Sequence, residues 1–237
     1  MQRYFSKIKE NEYFILSNDD IHHITKVMRM KNEDEVEIVN EEKVYICSIE
    51  NVNKNIRFKI KFQQDEIEKN KVEIILAIPL LKEQKMDYIF QKGTELGVKK
   101  FIPIITKNSI IKINKGKEEN KLARWNRICK EASEQAKRVD IPAITDIKTI
   151  EQLDSYEAKK YICSTTERHN SLKNALNKNK DYAKLLLVIG PEGGLTYEEE
   201  EKLVSMSFEK VTLGSNILRA ETVPLYLASV INYQYME

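Results

Sequence analysis

The sequence predicts an α/β protein with a mostly parallel sheet covered by helices in its larger C-terminal part, behind a small barrel-like β module. Three observations carry this. Val72–Ile78 and Leu185–Ile189 are nearly continuous apolar runs, the pattern of strands buried on both faces. Around them strand-like and helix-like segments alternate, which implies βα units and a parallel sheet. The first 65 residues differ, with short runs that alternate apolar and polar positions.

Taken in order, Tyr13–Leu16, Glu35–Val39, Lys43–Ile49 and Ile56–Phe62 read as strands. Val36, Ile38, Val44 and Ile46 alternate about the turn Asn40-Glu41-Glu42, which predicts a hairpin. Ser17-Asn18-Asp19-Asp20 offers a helix cap before Ile21, Ile24, Val27 and Met28, spaced as one helical face. The polar tract Gln63–Lys71 is the best linker and separates a module of residues 1–68 from a domain of 73–237. After the strand Val72–Ile78 come a helix over Glu83–Leu96 stopped by Gly97, a strand Lys100–Ile105 and a long helix Glu118–Val139 ended near Pro142. A strand Lys160–Cys163, a helix Asn170–Asn177 and the strand Leu185–Ile189 come next. Thr196 and Glu199 form a capping box for a helix to Met206. Lys210–Leu213 is the last strand and Ala220–Tyr235 the last helix, with Pro224 tolerated in its first turn.

Of the 237 residues 41% are hydrophobic and 32% charged, the balance of a soluble chain, and no run has the length of a membrane span. The opening residues lack the apolar core of a secretory signal. Cys47, Cys129 and Cys163 stand far apart in no paired motif and read as reduced thiols of a cytoplasmic protein, without a metal or redox role. His22 and His23, adjacent on a helix, point apart and make no metal pair. The net charge of +2 is uneven: −2 over residues 1–70, +7 over 71–150 and −3 over 151–237. Residues 92–130 hold eleven Lys or Arg against three Glu, enough to neutralise several phosphates of a nucleic acid. A solvated Lys-rich surface gives the same pattern.

Open α/β sheets bind ligands at the carboxyl ends of their strands. Two loops here have the chemistry for it. Gly190-Pro191-Glu192-Gly193-Gly194 follows a buried strand and precedes a capped helix; its glycines permit a tight turn and close approach of backbone to a ligand. It lacks the Lys and spacing of a Walker loop. The second loop runs from Gly214 to Thr222 and contains Arg219 and Glu221 directly before a helix, where Glu221 also suits the helix dipole. Each loop alone is explained as well by geometry as by function.

Together, GPEGG after a buried strand and LGSNILRAET before the final helix resemble the cofactor site of the SPOUT methyltransferases. The match is closest to the RsmE-type family, the 16S rRNA uridine N3-methyltransferases. KMDYIFQKGTELGV (Lys85–Val98), RWNRICKEASEQAKRVDIP (Arg124–Pro142) and HHITKVMRMKNEDEV (His22–Val36) extend the resemblance over most of the chain.

The resemblance implies a PUA-like RNA-binding β-barrel over 1–68 and a SPOUT α/β trefoil-knot domain over 73–237. It implies S-adenosylmethionine as cofactor, S-adenosylhomocysteine as product, the 16S rRNA of the small (30S) ribosomal subunit as substrate, and a homodimer. The implied cofactor residues are Thr165, Thr166, Glu167, Ile189, Gly190, Glu192, Gly193, Gly194, Leu213, Gly214, Ile217 and Leu218. Arg219 would stabilise the anionic base, and Glu221 or Glu192 would accept its proton. Arg3, His23 and Arg29 in the first module, with Arg124, Arg127 and Arg138 on the long helix, would meet RNA; internal Arg–Glu pairing also accounts for that helix face. The chain departs from the family at Asn108 and Asn216, where Arg is common, and at Ala220, where Thr is common. Another rRNA or tRNA nucleotide as target, or an RNA-binding assembly factor without catalysis, are the competing functions.

Overall fold

The computed structural model describes residues 1–52, 55–65, 71–109, 116, 118–178 and 182–235. They fall into two compact units, residues 1–69 with 133–141, and 70–132 with 142–237. Most of the expected linker, residues 66–70, lies outside the described residues.

Among the described residues the first unit is one curled six-stranded sheet. Its strands are β1 (Arg3–Phe5), β2 (Ile8–Glu10), β3 (Tyr13–Ile15), β4 (Glu35–Asn40), β5 (Lys43–Val52) and β6 (Asn55–Gln63), in the order β1-β4-β5-β6-β3-β2. Only β1 and β4 run parallel. The expected hairpin is β4–β5, with Asn40 opposite Lys43. Its two turn residues, Glu41 and Glu42, both take positive φ (49° and 60°), as a primed turn requires even without glycine. The edge strands β1 and β2 are too short to announce themselves by periodicity. Ser6 ties them to the sheet, its Oγ lying 2.7 Å from the Ile15 carbonyl and 3.0 Å from that of Ile8. Inside the curl Tyr4, Phe14, Ile24, Val36, Ile38 and Phe58 are buried.

The helix expected after Ser17 divides in two. Ser17 caps α1 (Asn18–His22), and the chain then widens into a π-helical turn over His23–Val27. The extra residue in that turn rotates the positions beyond it, so Ile24 is buried while Val27 and Met28 face outward at 59% and 39% exposure.

The second unit holds an all-parallel sheet of β7 (Glu73–Pro79), β8 (Lys100–Ile104), β9 (Ala143–Ile144), β10 (Lys159–Cys163), β11 (Lys184–Ile189) and β12 (Glu209–Val211), ordered β12-β10-β11-β7-β8-β9. The apolar runs occupy its centre, where Ile74, Leu76, Leu186 and Leu187 are fully buried. One face is covered by α5 (Tyr197–Ser205) and the 3₁₀ turn Ile150–Leu153, through Leu203, Met206 and Leu153. Elsewhere α2 (Glu83–Glu95) and α6 (Val223–Tyr235) pack together, and α6 lies against β7. Gly93 of α2 permits close packing: a Cβ there would stand 2.8 Å from the Phe101 ring of β8. Gly97 ends α2 at φ 83°, with Val98 N–H on the Gly93 carbonyl (2.9 Å) and Gly97 N–H on that of Thr94 (3.0 Å). Phe90 stacks on Trp125 of α3 (Glu118–Gln135), their ring centres 4.9 Å apart. The remaining helix, α4 (Leu172–Asn177), is capped by Ser171.

The long helix stops earlier than its periodicity predicts. Lys137 takes φ 58°, Arg138 N–H reaches back to the Ser133 carbonyl (3.0 Å), and residues 133–141 cluster with the first unit. This is the same closing turn as at Gly97, made with a lysine in the left-handed region. Such a stop leaves no mark in composition.

Candidate active site

Parallel register builds the site. Cys163 of β10 stands opposite both Ile189 of β11 and Val211 of β12, so all three strands end at one level. The loops starting at Ser164, Gly190 and Thr212 therefore leave the same edge of the sheet side by side. From β12, at that edge, the chain must cross the ends of β10 and β11 to reach α6, which packs on β7 and α2. At the end of this segment Glu221 meets the same ammonium, that of Lys85, as Glu192 of the glycine loop.

In the glycine loop the Gly194 N–H closes a turn on the Pro191 carbonyl at 2.8 Å. A Cβ on Gly190 would stand 3.0 Å from Leu195 N, tight against the loop's own backbone, so the turn favours glycine there. Gly194 (φ 71°) and Gly214 (φ 129°) differ: a Cβ at either would meet nothing within 4 Å. Their backbones are therefore open to an approaching ligand, as a cradle for the amino-acid and adenine parts of S-adenosylmethionine must be. The residues fit that cofactor.

Neighbouring segments fasten the glycine loop from outside. Asn108 Nδ2 donates to the carbonyls of Gly193 (3.2 Å) and Gly194 (3.0 Å). The carboxylate of Glu199 serves two segments, one oxygen accepting from Lys107 N–H (2.7 Å) and the other from Thr196 N–H (2.8 Å). Thr196 Oγ1 completes the predicted capping box by accepting from Glu199 N–H. In the β10 loop, Ser164 and Thr166 hydroxyls pair at 2.9 Å, and one oxygen of Glu167 accepts from the backbone N–H groups of Arg168, His169 and Asn170. These bonds, first that of Asn170, hold the Glu167 carboxyl below its ordinary pKa. Thr165 is exposed beside them.

Lys85 near the start of α2 places its ammonium 3.0 Å from Glu192 of the glycine loop and 2.9 Å from Glu221 of the last loop. Burial alone would raise the pKa of each glutamate, but the hydrogen bond and charge of Lys85 prevail and leave both lowered. Sequence reasoning misses this residue. Lys85 lies inside a segment that resembles the family, but nothing local signals partners 107 and 136 positions away. Arg219, by contrast, is exposed; its side chain forms neither hydrogen bond nor ion pair among the described residues, and its charge is felt at Glu221. Ile217 is 81% exposed, Leu213 and Leu218 half-buried, and Ile189 buried at the strand end.

An RNA methyltransferase domain model matches residues 68–232, and an RNA methyltransferase PUA domain model matches 16–61. The chain is 33% identical to the ribosomal RNA small subunit methyltransferase E of Bacillus subtilis (strain 168), covering 99% of this chain and 97% of that protein. The chain belongs to the ribosomal RNA small subunit methyltransferase E family. Its relative from Mesomycoplasma hyopneumoniae (strain 232) is 34% identical, covering 96% of this chain and 97% of the relative. The crystal structure of the Neisseria gonorrhoeae methyltransferase E bound to S-adenosyl methionine superimposes with a TM-score of 0.88 at 25% identity, covering 99% of this chain and 98% of that one. The family's enzymes are S-adenosylmethionine-dependent 16S rRNA methyltransferases, with a PUA-like curled sheet ahead of a parallel α/β domain.

The residues expected to meet RNA stand in varied surroundings. Arg29 is exposed at φ 53°, and His23 Nδ1 lies 3.0 Å from the Tyr4 hydroxyl. Arg3 is buried: its guanidinium bonds the Glu37 carboxylate (2.8 Å) and the carbonyls of Lys137 and Arg138. An RNA contact by Arg3 requires it to leave that network. Arg124 pairs with Asp87 (2.6 Å) and Glu83 (3.2 Å) of α2, and Arg127 with Glu131 (2.8 Å) on its own helix. Arg138, placed on the helical stripe by its spacing, lies beyond the helix end and pairs with Asp140 at 2.9 Å. Within the basic block, Lys112, Lys115 and Lys117 lie outside the described residues. Among the described residues no cluster of His, Cys, Asp and Glu is placed to hold a metal, and no helix is long and apolar enough to cross a membrane.

Of the departures from the family, Asn108 is bonded to the glycine loop. Asn216 is exposed. Ala220 is buried at 6% exposure.

Proposed function

We propose that the chain methylates N3 of a uridine in 16S rRNA, with S-adenosylmethionine as donor and the assembled small subunit as substrate. Residues 1–68 act as the RNA-binding module and 73–237 as the methyltransferase domain, which works as a cytoplasmic homodimer. The observation that carries this is the convergence of three strand-end loops beside an unengaged arginine. In this reading the final segment's crossing of β10 and β11 is the passage that a trefoil knot makes.

The cofactor supplies an electrophilic methyl on a sulfonium; the protein supplies position and electrostatics. Gly194 of the glycine loop and Gly214 of the last loop offer open backbone to the cofactor, within the segments Gly190–Gly194 and Leu213–Leu218 that would hold it, and Thr165, Thr166 and Glu167 stand at the third loop. N3 of uracil carries a proton and becomes a good nucleophile only as that proton leaves. Arg219 faces solvent with its donors free and stabilises the charge that develops on the base and its carbonyl oxygens. Glu192 and Glu221 are ion-paired and held below the ordinary carboxylate pKa, so each is a weak base. The N3 proton leaves to one of these carboxylates or to solvent water as the base takes up the methyl group. Most of the rate then comes from Arg219 and from holding methyl and nitrogen in line.

The test is mass spectrometry of 16S rRNA from a strain lacking the gene. One methyluridine should disappear from the small-subunit RNA, and purified protein with cofactor should restore it on isolated subunits. Arg219→Ala should restore it roughly 10²-fold more slowly, the usual cost of removing one charge-stabilising donor. If no 16S methyluridine is lost, the assignment is wrong, and a loss from another RNA redirects it.

A further inference from the structure

Lys85 belongs to none of the three strand-end loops, yet its ammonium joins two of them. Its three N–H donors can serve two carboxylates at once, and the distances of 3.0 Å to Glu192 and 2.9 Å to Glu221 are those of charge-assisted hydrogen bonds. Glu192 sits within the glycine loop; Glu221 lies two residues after Arg219, in the turn that starts α6. The carboxylates are close enough for Glu221 to act against the ionisation of Glu192. Without a cation between them, two like charges would face each other across the site and drive the loops apart. The anchor is firm because α2 is fixed by Met86, Ile89 and Phe90 in the core. The Lys85 side chain is itself 28% exposed, so its removal opens no core cavity.

We infer that Lys85 is a positioning residue for methyl transfer, bridging Glu192 and Glu221 so that the cofactor loop and the Arg219 segment are held in one geometry. It acts through the two glutamates and touches neither the methyl group nor the base. This rests on the methyltransferase reading above. It differs from a phosphate-binding role for Lys85, which would show in RNA affinity rather than turnover.

The experiment compares Lys85→Met and Lys85→Arg with wild type on small subunits that lack the mark. Lys85→Met should lower kcat at least tenfold while KM for the subunit stays within threefold. Lys85→Arg, whose guanidinium can also span two carboxylates, should recover to within threefold of wild type. Amide hydrogen exchange gives a second readout that needs no activity: in Lys85→Met, Gly190–Leu195 and Gly214–Thr222 should both exchange about tenfold faster. Turnover within twofold of wild type in Lys85→Met, a loss confined to KM, an arginine variant no better than the methionine one, or unchanged exchange in either loop overturns the inference. A wild-type protein that methylates no ribosomal RNA sinks the functional reading instead, and the exchange measurement still decides whether Lys85 bridges the loops.

Discussion

In the first unit a carboxylate stands between two cations, Glu37 accepting from Arg3 at 2.8 Å and Lys137 at 2.9 Å. In the second unit an ammonium stands between two carboxylates, Lys85 with Glu192 and Glu221. The networks are inverses in charge, and they differ more in setting. The Arg3 side chain is 4% exposed and also satisfies two backbone carbonyls, whereas the Lys85 trio is partly wet and its glutamates belong to loops. A buried network of this kind holds a fold, because losing one member strands the others away from water. A wet one contributes little to stability and can instead set the geometry of what it joins.

The largest effect should come from the buried side. Arg3→Ala leaves the carbonyls of Lys137 and Arg138 without their donor and Glu37 with one partner fewer. It should cost about 3 kcal/mol in urea unfolding, the scale for breaking a buried pair. Burial alone would raise the Glu37 pKa, but hydrogen bonds from Lys137 and Arg3 outweigh it and hold the value down. A depressed carboxylate contributes stability in full above its unfolded pKa and loses it as pH falls through the folded value. Wild type should therefore lose stability on acidification below the ordinary carboxylate range, and Arg3→Ala should lose less over the same window. A cost below about 1 kcal/mol would mean that the network is no more structural than the one at Lys85.

The same contrast explains what can be read in advance. The central strands are legible because apolar runs such as Leu185–Ile189 can only be buried, and the capping box at Thr196 because its partners are three residues apart. The glycine loop is legible as a turn, and resemblance alone turns it into a cofactor site. Both charge networks are hidden. Arg3 is an expected RNA contact because the resemblance implies it, and nothing in its neighbours signals burial. Its burial depends on Lys137 in a left-handed conformation that only glycine or asparagine would have advertised. Lys85 is hidden by sequence distance, and so is Asn108, which resemblance marks as a lost arginine and the structure places on the carbonyls of the glycine loop.

Asn108 gives the intermediate case, a tie to the same loop made without charge. Asn108→Ala removes two exposed hydrogen bonds, so its effect on unfolding should stay below about 1 kcal/mol. The glycine loop would then be less ordered before the cofactor arrives. Calorimetry should find S-adenosylmethionine bound about fivefold more weakly, an equivalent of about 1 kcal/mol. If affinity is unchanged, the outer ties do not order the cofactor loop, and any hold that Lys85 has on it comes from charge alone.

Arg127 marks the lower end of the scale. Its pair with Glu131 at 2.8 Å is an i, i+4 contact, with side chains 76% and 60% exposed. Pairs of this kind contribute about 0.3–0.5 kcal/mol, so Arg127→Ala should barely move the unfolding curve. The informative measurement is the salt dependence of RNA binding. A side chain that neutralises a phosphate releases a counterion, and deleting it should reduce the slope of log K against log salt by about 1. An unchanged slope would assign Arg127 to the helix surface and leave the polar stripe of α3 as solvated structure. A reduced slope with unchanged stability would make Arg127 the converse of Arg3, an arginine whose ion pair is incidental and whose exposure is what matters.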